Sequence, residues 1–267
     1  MATRSWIAAT LALALLPLSA NALSVTIVEG GVSTGLSEAE RVVAVGRDQV
    51  GAGDLATEFP TLPGVADALG AVEGSLAFSF SDENFLITVF ATQSVENGVF
   101  TSAIQGVVTG LGPAGTDLPL LSLYQTAPDF ITEFDQLSFT TTLEEATFGD
   151  GGLALLASFY AASNAGNNPA LGEDNFLSSS LDPSVDTTIA SKIVSNGDAD
   201  FAGGQTLSVI ADENFAINHA LIFALEGGDS VTFTLVTTAV VPLPAPMMLL
   251  MGALAAIGAV GIRKRMT

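Results

Sequence analysis

The sequence predicts an all-β protein, an antiparallel β-sandwich with jelly-roll-like connections. Several short segments alternate apolar with polar residues, and Gly, Asp and Asn mark the turns between them, whereas few segments have helical periodicity. The chain has 267 residues, of which 49% are hydrophobic and 16 are Phe. This is enough apolar material for one well-filled core, so one compact domain, or at most two, is expected.

The clearest alternation lies at Ser75–Ser81, where Phe78 and Phe80 share one face. The polar residues 82–84 then indicate a turn, and residues 85–92 form a second apolar segment. Because every second side chain of a strand points to the same face, this segment predicts two antiparallel strands with Phe78 in the core.

Two further hairpins are predicted on the same grounds. Residues 137–143 and 153–159 alternate on either side of a Gly-Asp-Gly-Gly segment. A Gly-Gly-Asp segment likewise separates a strand around residues 221–225 from residues 231–235, where Phe233 is expected to face the core. Such turn residues between alternating segments are typical of antiparallel hairpins.

One segment near the beginning of the chain is ambiguous. Ser37 and Glu40 have the spacing of a capping box, which predicts a short helix. Residues 42–45 are rich in Val, which equally favours a strand. Farther along, residues 164–175 contain Gly, Asn and Pro and predict a long loop.

A short string of two acidic residues, Asn and Phe occurs three times, ending at Phe85, Phe176 and Phe215. Its irregular spacing does not fit a solenoid or a propeller. The favoured interpretation is an acidic turn followed by a core Phe. The other interpretation is a set of related acidic loops that hold cations.

Charge is distributed very unevenly. All 28 acidic residues lie between Glu29 and Asp229, while Arg41, Arg47 and Lys192 are the cations of the same region. Such a surface repels phosphates, so nucleic acid is excluded as a partner, and it attracts cations and basic molecules or simply keeps the protein soluble. The chain has no Cys and therefore neither disulfides nor thiolate chemistry.

A possible metal site lies at Asn196, Asp198 and Asp200, whose alternate oxygen ligands resemble the first half of a calcium loop. Phe201 and Leu207 stand where an EF-hand needs Gly and Glu, so the match is incomplete. An irregular Ca²⁺ site remains open, and no other cofactor is expected.

No catalytic residue is predicted, and the chain is expected not to be an enzyme. His219 is the sole histidine, no G-x-S-x-G motif accompanies it, and it lies beside an apolar strand, so a structural role is favoured. A carboxylate pair of the glycosidase type is left open by the sequence. Trp6 lies in the leader, which leaves Tyr124 and Tyr160 to stack on sugars and disfavours both a glycosidase and a lectin.

Residues 1–22 have the features of a secretory signal peptide. Arg4 provides the positive charge, residues 6–18 are apolar, and Ala20 and Ala22 form an A-x-A cleavage site. The mature protein is therefore expected to begin at Leu23, with the β-sandwich domain occupying residues 23–239.

Residues 240–267 form a membrane-directed tail. The sixteen apolar or glycine residues 247–262 would make a helix of about 24 Å, a little shorter than the ~30 Å hydrocarbon core. Because the leader exports the body, the basic residues that follow are expected to stay on the cytoplasmic side. This cytoplasmic stop consists of Arg263, Lys264 and Arg265.

The tail begins with a proline-rich motif, expected to be extended and accessible because proline cannot continue a helix. The motif is Val241, Pro242, Leu243, Pro244 and Ala245. Followed by a Gly- and Ala-rich apolar helix and a basic C-terminus, it resembles the VPLPA variant of the PEP-CTERM sorting signal. The resemblance implies processing by an exosortase in the inner membrane of a Gram-negative bacterium that makes extracellular polysaccharide. An ordinary single-span anchor is the alternative.

These observations predict a non-enzymatic, exported protein of the cell surface or of a biofilm-associated extracellular matrix. It would be held in the inner membrane by its tail before processing, with the exosortase and extracellular polysaccharide as partners. The alternative is a calcium-dependent adhesion or glycan-binding module. Neither the specific ligand nor the oligomeric state follows from the sequence.

Overall fold

The computed structural model describes residues 23–31, 38–48, 64–65, 68–69, 74–148, 152–162, 186–195 and 201–242. These residues form two β-sheets packed face to face, with the apolar side chains of both sheets between them. The predicted leader, the loop at residues 164–175 and the tail beyond Pro242 lie outside the described residues.

Thirteen strands are present in the described parts of the chain. They are β1 Ser24–Gly31, β2 Glu38–Arg47, β3 Gly64–Val65, β4 Ser75–Ser81, β5 Phe85–Glu96, β6 Val99–Gly110, β7 Leu121–Ile131, β8 Gln136–Phe148, β9 Leu153–Ala162, β10 Asp186–Ser195, β11 Phe201–Ser208, β12 Asn214–Ala224 and β13 Ser230–Val240.

One sheet has seven strands in the order β10-β9-β12-β7-β1-β2-β3, and the other has six in the order β11-β8-β13-β6-β5-β4. All neighbours are antiparallel except β2 and the two-residue β3. The predicted all-β sandwich is therefore confirmed at this level. The helix considered from Ser37 is wrong for residues 38–47, which form β2, because they pair with β1, Val43 packs against the core and Val45 is buried.

The predicted hairpin at residues 82–84 is confirmed, since β4 and β5 pair in continuous register. The other two predicted hairpins are wrong. β8 and β9 belong to different sheets, and so do β12 and β13. Alternation shows that one face of a strand is buried and turn residues show that the chain reverses, but neither distinguishes a hairpin from a crossing to the opposite sheet.

A tight turn at Asn97 and Gly98 joins β5 to β6. Glu96 lies opposite Val99 in the pair, so the loop has two residues. Both have positive φ, 52° at Asn97 and 77° at Gly98, which is the geometry of a type I′ turn. The Asn-Gly dipeptide adopts this geometry with little strain, and it sets the register of the longest hairpin in the six-stranded sheet.

The core lies between the sheets, as the alternation predicted. Phe78 is 3% exposed and Phe233 is 1% exposed. Phe233 packs against Phe223 of the opposite sheet, with 5.3 Å between ring centroids. At the other end of the sandwich, Phe215 lies at the centre of a group of aromatic rings that also contains Phe100, Phe130, Phe139 and Tyr160.

The sorting motif begins directly after β13. Val241 is half-buried and packs against the core, and Pro242 is also half-buried, so these two residues are less accessible than expected. Leu243, Pro244, Ala245 and the basic residues lie outside the described residues. Within the part of the chain that the structure describes, no helix has the length and apolar character needed to cross a membrane.

Candidate functional site

His219 lies in the middle of β12 and points into the sandwich, where it is 1% exposed. Its Nδ1 atom is 2.7 Å from Oε1 of Gln125, and its Nε2 atom is 2.9 Å from Oγ1 of Thr237. Both ring nitrogens therefore have protein partners, one in each sheet. The expected structural role of His219 agrees with this position.

His219 belongs to a polar layer that lies between three neighbouring strands of each sheet. In the seven-stranded sheet, Ser158, His219 and Gln125 lie side by side on three neighbouring strands. In the six-stranded sheet, Thr141, Thr237 and Ser102 form the corresponding row. Each of the six side chains is at most 1% exposed, so the two rows face each other away from water.

The hydrogen bonds of this polar layer can run in a single direction. Nε2 of Gln125 donates to the carbonyl oxygen of Ala103 at 3.1 Å and to Oγ of Ser102 at 3.2 Å. Because a carbonyl only accepts, the amide group of Gln125 donates through Nε2, and its Oε1 accepts a hydrogen bond from Nδ1–H of His219. In the neutral ring Nε2 then accepts from the hydroxyl of Thr237.

The hydroxyl groups of Thr237, Thr141 and Ser158 continue this chain of hydrogen bonds to the other end of the polar layer. Since the Thr237 hydroxyl donates to His219, its oxygen accepts from Thr141 at 2.9 Å. The Thr141 oxygen in turn accepts from Ser158 at 2.5 Å. Every link is satisfied with His219 uncharged, and complete satisfaction is what makes such a buried network tolerable.

Burial lowers the pKa of His219 to about 3, because no charge compensates the imidazolium in the core. At neutral pH the ring is therefore uncharged, and it is buried away from solvent. A histidine that acts as a general base must reach a substrate proton, and His219 does not. The polar layer is suited to fixing how the two sheets face each other.

The two outer faces of the sandwich differ in accessibility. On the seven-stranded sheet, several outward side chains of the three neighbouring strands β1, β7 and β12 are buried, with between 0% and 7% exposure. They include Thr26, Tyr124 and Asn218. A large partner cannot reach these side chains. Outward positions of β9 and β10 on the same sheet, such as Leu155 and Ile193, are exposed, and so is the outer side of the six-stranded sheet.

The outer side of the six-stranded sheet is lined with hydroxyl groups, and we call it the hydroxyl face. Thr88 and Thr140 are exposed there, and the threonines between them are half-buried. Two acidic residues also belong to this side of the sheet by position, Glu96 at the end of β5 and Glu145 of β8, which pairs with Thr234. The central members of the hydroxyl face are Thr88, Thr101, Thr140, Thr232, Thr234 and Thr238.

Strand pairing arranges the hydroxyl face as a grid. Thr238 lies directly opposite Thr101 on one side and Thr140 on the other, which gives three threonines in one row. Ser79 and Thr88 form another cross-strand pair, with 3.1 Å between their hydroxyl oxygens. Neighbouring strands are about 4.8 Å apart and alternate residues about 7 Å apart, so hydroxyl and methyl groups repeat over the face.

Sequence reasoning missed the hydroxyl face, although part of its signal was visible. In residues 230–240 Thr232, Thr234 and Thr238 share the face opposite the apolar residues. Alternation identifies the core-facing positions, and for the polar positions between them it predicts exposure to solvent and nothing more. Only the pairing of strands distant in sequence shows that such positions form one surface.

Two of the three acidic strings are turns, as the favoured interpretation predicted. Oδ1 of Asp82 accepts hydrogen bonds from the backbone nitrogens of Asn84 at 2.8 Å and Phe85 at 2.9 Å. The phenylalanines that follow, Phe85 and Phe215, are 0% and 2% exposed. The third string, at residues 173–176, lies outside the described residues.

The proposed calcium ligands Asn196, Asp198 and Asp200 lie outside the described residues, so the structure does not test them. Among the residues it does describe, no group of three or more His, Asp or Glu side chains could hold a metal ion. The two tyrosines are 6% and 5% exposed, and burial raises the pKa of Tyr160. Neither Tyr124 nor Tyr160 provides a flat aromatic surface for a sugar.

Fold and surface together define a class, the two-sheet antiparallel β-sandwich with one accessible hydroxyl-lined face. No family model and no curated protein matches the chain. Among solved structures, an enzymatically active domain of tailspike protein 4 of bacteriophage CBA120 is 11% identical over 57% of this chain and 19% of that chain, with a TM-score of 0.25. The chain thus spans about a fifth of that tailspike structure.

A second solved structure is a carbohydrate-binding module specific for non-crystalline cellulose. It is 13% identical over 55% of this chain and 77% of that chain, with a TM-score of 0.21. At these identities and TM-scores, neither similarity indicates a ligand or an activity for this chain.

Proposed function

We propose that this chain is an exported, non-catalytic β-sandwich of the cell surface or extracellular matrix, and that it lies with its hydroxyl face against neutral extracellular polysaccharide. The observation that carries the proposal is the hydroxyl face itself. A chain of net charge −21 presents a broad face on which the described side chains are almost entirely uncharged.

The chemistry of the hydroxyl face matches that of a neutral polysaccharide. Threonine provides a hydroxyl that both donates and accepts, as a sugar hydroxyl does, and a methyl group that can contact the C–H surface of a sugar ring. The threonines carry no charge that would have to be desolvated when the two surfaces meet. An anionic polysaccharide, by contrast, is repelled by the acidic remainder of the molecule.

Each individual contact is expected to be weak. A protein hydrogen bond that replaces bonds to water contributes about 0.5–1.5 kcal/mol. No exposed tyrosine or tryptophan adds stacking in the described residues of this face. Affinity must therefore come from many contacts along a polymer, which suits a matrix component better than a receptor for a short sugar.

Delivery to the matrix rests on the two ends of the sequence. Residues 1–22 would direct export, and Val241 to Ala245 would present the tail to an exosortase before the body is released. The enclosed His219 supports a non-catalytic role, because the sole histidine of the chain is held between protein partners.

Co-sedimentation with insoluble polysaccharide tests the proposal. The full chain should sediment with amorphous cellulose, a neutral probe, and should not bind alginate, an anionic one. Thr88→Glu and Thr234→Glu place charges on the hydroxyl face and should lower the bound fraction several-fold. Thr188→Glu alters an exposed threonine of the other sheet and is the matched control. No binding to the neutral probe, or equal loss in all three variants, would refute the proposal.

A further inference from the structure

The two sheets have four edge strands, and an edge strand presents backbone N–H and C=O groups that another strand can pair with. The seven-stranded sheet ends at β10 and β3, and the six-stranded sheet ends at β11 and β4. Proteins usually protect such edges by shortness, charge, proline, bulges or a covering segment. The four edges of this sandwich are protected unequally.

Three of the edges carry recognisable protection. β3 has two residues. The backbone nitrogen of Ala68 donates to the carbonyl of Ala77 at 2.6 Å, which covers part of β4. β10 has an irregularity in register between Thr188 and Ala190 and carries Lys192.

β11 has none of these protections along its backbone, although the side chain of Gln205 donates a hydrogen bond to the carbonyl oxygen of Thr188 on β10. Its eight residues, Phe201–Ser208, pair with β8 in continuous register, without a bulge, and contain neither a charged residue nor proline. In the part of the chain that the structure describes, its backbone makes no backbone hydrogen bond on the side away from β8. Its outward side chains, including Ala202 and Thr206, are exposed.

We propose that β11 is a self-association edge, at which the β11 strands of two copies of this chain pair antiparallel. A symmetric pair centred on Gly204 places Ala202 opposite Thr206 on the outer face and Phe201 opposite Leu207 on the inner face. This register keeps core-facing residues with core-facing residues, as pairing on a two-faced sheet requires. With Gly204 opposite Gly204, no side chain obstructs the centre of the outer face.

A second copy is favoured over other occupants because the edge is self-complementary and uncharged. A basic partner would bind where the chain has carboxylates, since its net charge is −21. β11 has no carboxylate, so a basic partner has no reason to bind at this edge. The pairing would join two six-stranded sheets into one, with their hydroxyl faces side by side. The inference concerns the edge alone and holds whether or not the face binds polysaccharide.

Charge predicts how this association responds to salt. Two chains of charge −21 repel each other, and the repulsion reaches about 30 Å at 0.01 M salt but about 8 Å at 0.15 M. The dimer is therefore expected to become tighter as NaCl is raised. An association driven by oppositely charged patches would weaken under the same change.

Sedimentation velocity of the full chain in one mild non-ionic detergent tests the edge. The wild type should form a concentration-dependent dimer, with more dimer at 0.15 M than at 0.01 M NaCl. Thr206→Lys should lose the dimer, although it lowers the net negative charge, because lysine on an edge strand opposes pairing. Ala202→Lys should behave in the same way. Thr88→Lys, on the same face but on β5, is the matched control and should dimerise like the wild type.

Hydrogen exchange distinguishes edge pairing from any other contact. Those amides of residues 201–207 that point away from β8 should become protected as protein concentration rises. Unchanged circular dichroism of the lysine variants shows that they are folded. A wild type that stays monomeric would overturn the proposal. So would equal dimerisation of Thr206→Lys and the wild type, or a dimer without protection in β11.

Discussion

Six uncharged polar side chains occupy the middle of the sandwich, and His219 is the member of this polar layer that titrates. Its neighbours Gln125 and Thr237 satisfy both nitrogens of the neutral ring but would leave an imidazolium in the core without a compensating charge. Protonation of His219 at low pH would therefore place an uncompensated charge in the core and destabilise the folded state. Removing one partner also leaves a buried polar group unsatisfied, at a cost of about 1–3 kcal/mol.

We expect the free energy of unfolding to fall as the pH is lowered from 7 to 5. The folded-state pKa of His219, about 3, lies below its ordinary value of 6.5, so in this window the unfolded chain binds a proton that the folded chain does not. The expected loss is about 2 kcal/mol, measurable by urea unfolding at each pH.

His219→Gln isolates this contribution, because glutamine keeps a donor and an acceptor but does not titrate. The variant should be less stable at pH 7, yet its stability should change little between pH 7 and 5. Most carboxylates stay ionised above pH 5 and contribute little there. An equal pH dependence in both proteins would show that His219 is not the titrating group.

Phe233 tests the packing of the core. Its ring contacts Phe223 and lies against Gly106, where an added Cβ would approach Cζ of Phe233 to 3.0 Å. Phe233→Ala should therefore cost about 3–5 kcal/mol in urea unfolding, since the site cannot refill. Phe134, which is 50% exposed, is the control, and Phe134→Ala should cost less than about 1 kcal/mol. Similar costs at both positions would contradict the inward assignment of Phe233.

Single-residue features were the most predictable from the sequence. Alternation identified Phe78 and Phe233 as core residues, and turn chemistry identified Asp82 as part of a turn before a buried Phe85. Each of these inferences depends on neighbours within a few positions in the chain. The polar layer was not predictable, because its rows join strands as far apart as Gln125 and His219.

At the scale of elements, strands were easier to predict than their partners. Alternation predicts β12 and β13 correctly, but their pairing as a hairpin is wrong, because a Gly-Gly-Asp segment can also carry the chain across to the opposite sheet. The hydroxyl face was missed for the same reason. Its rows are set by pairing of β13 with β6 and β8, which no local pattern reports.

The turn between β5 and β6 gives a test at this scale. Gly98 has a φ of 77° and no atom within 4 Å of an added Cβ, so a substitution there changes backbone strain without a clash. Gly98→Ala should cost about 1–2 kcal/mol in urea unfolding. Gly98→Asn should cost clearly less, because asparagine tolerates positive φ. Equal costs for the two variants would contradict the type I′ assignment.

At the scale of the whole molecule, charge and hydroxyl groups occupy different places. The acidic residues give the chain a net charge of −21, whereas the hydroxyl face has Glu96 at its margin among the described side chains. The fold class followed from the sequence, because several of the described strands, such as β4, β5 and β13, repeat one local pattern of alternation. The face did not follow, because it depends on how those strands are ordered.

The ends of the chain predict a specific processing event. If Val241 to Ala245 are a sorting signal, protein collected from the cell surface should lack residues 247–267. Intact mass and the C-terminal peptide, compared between the parent strain and one without exosortase, measure this. A tail retained in the mutant alone supports processing, and a tail retained in both strains would make the motif an ordinary anchor.

Hydroxyl-radical footprinting with and without amorphous cellulose tests the proposed contact most directly, because it reports the accessibility of individual side chains. Leu86 and Val107 lie on the hydroxyl face and are 43% and 40% exposed, whereas Leu155 and Ile193 lie on the other sheet and are 37% and 65% exposed. The account predicts that the polysaccharide lowers oxidation of Leu86 and Val107 several-fold and leaves Leu155 and Ile193 unchanged. Protection of Leu155 and Ile193, or of none of the four, would contradict it.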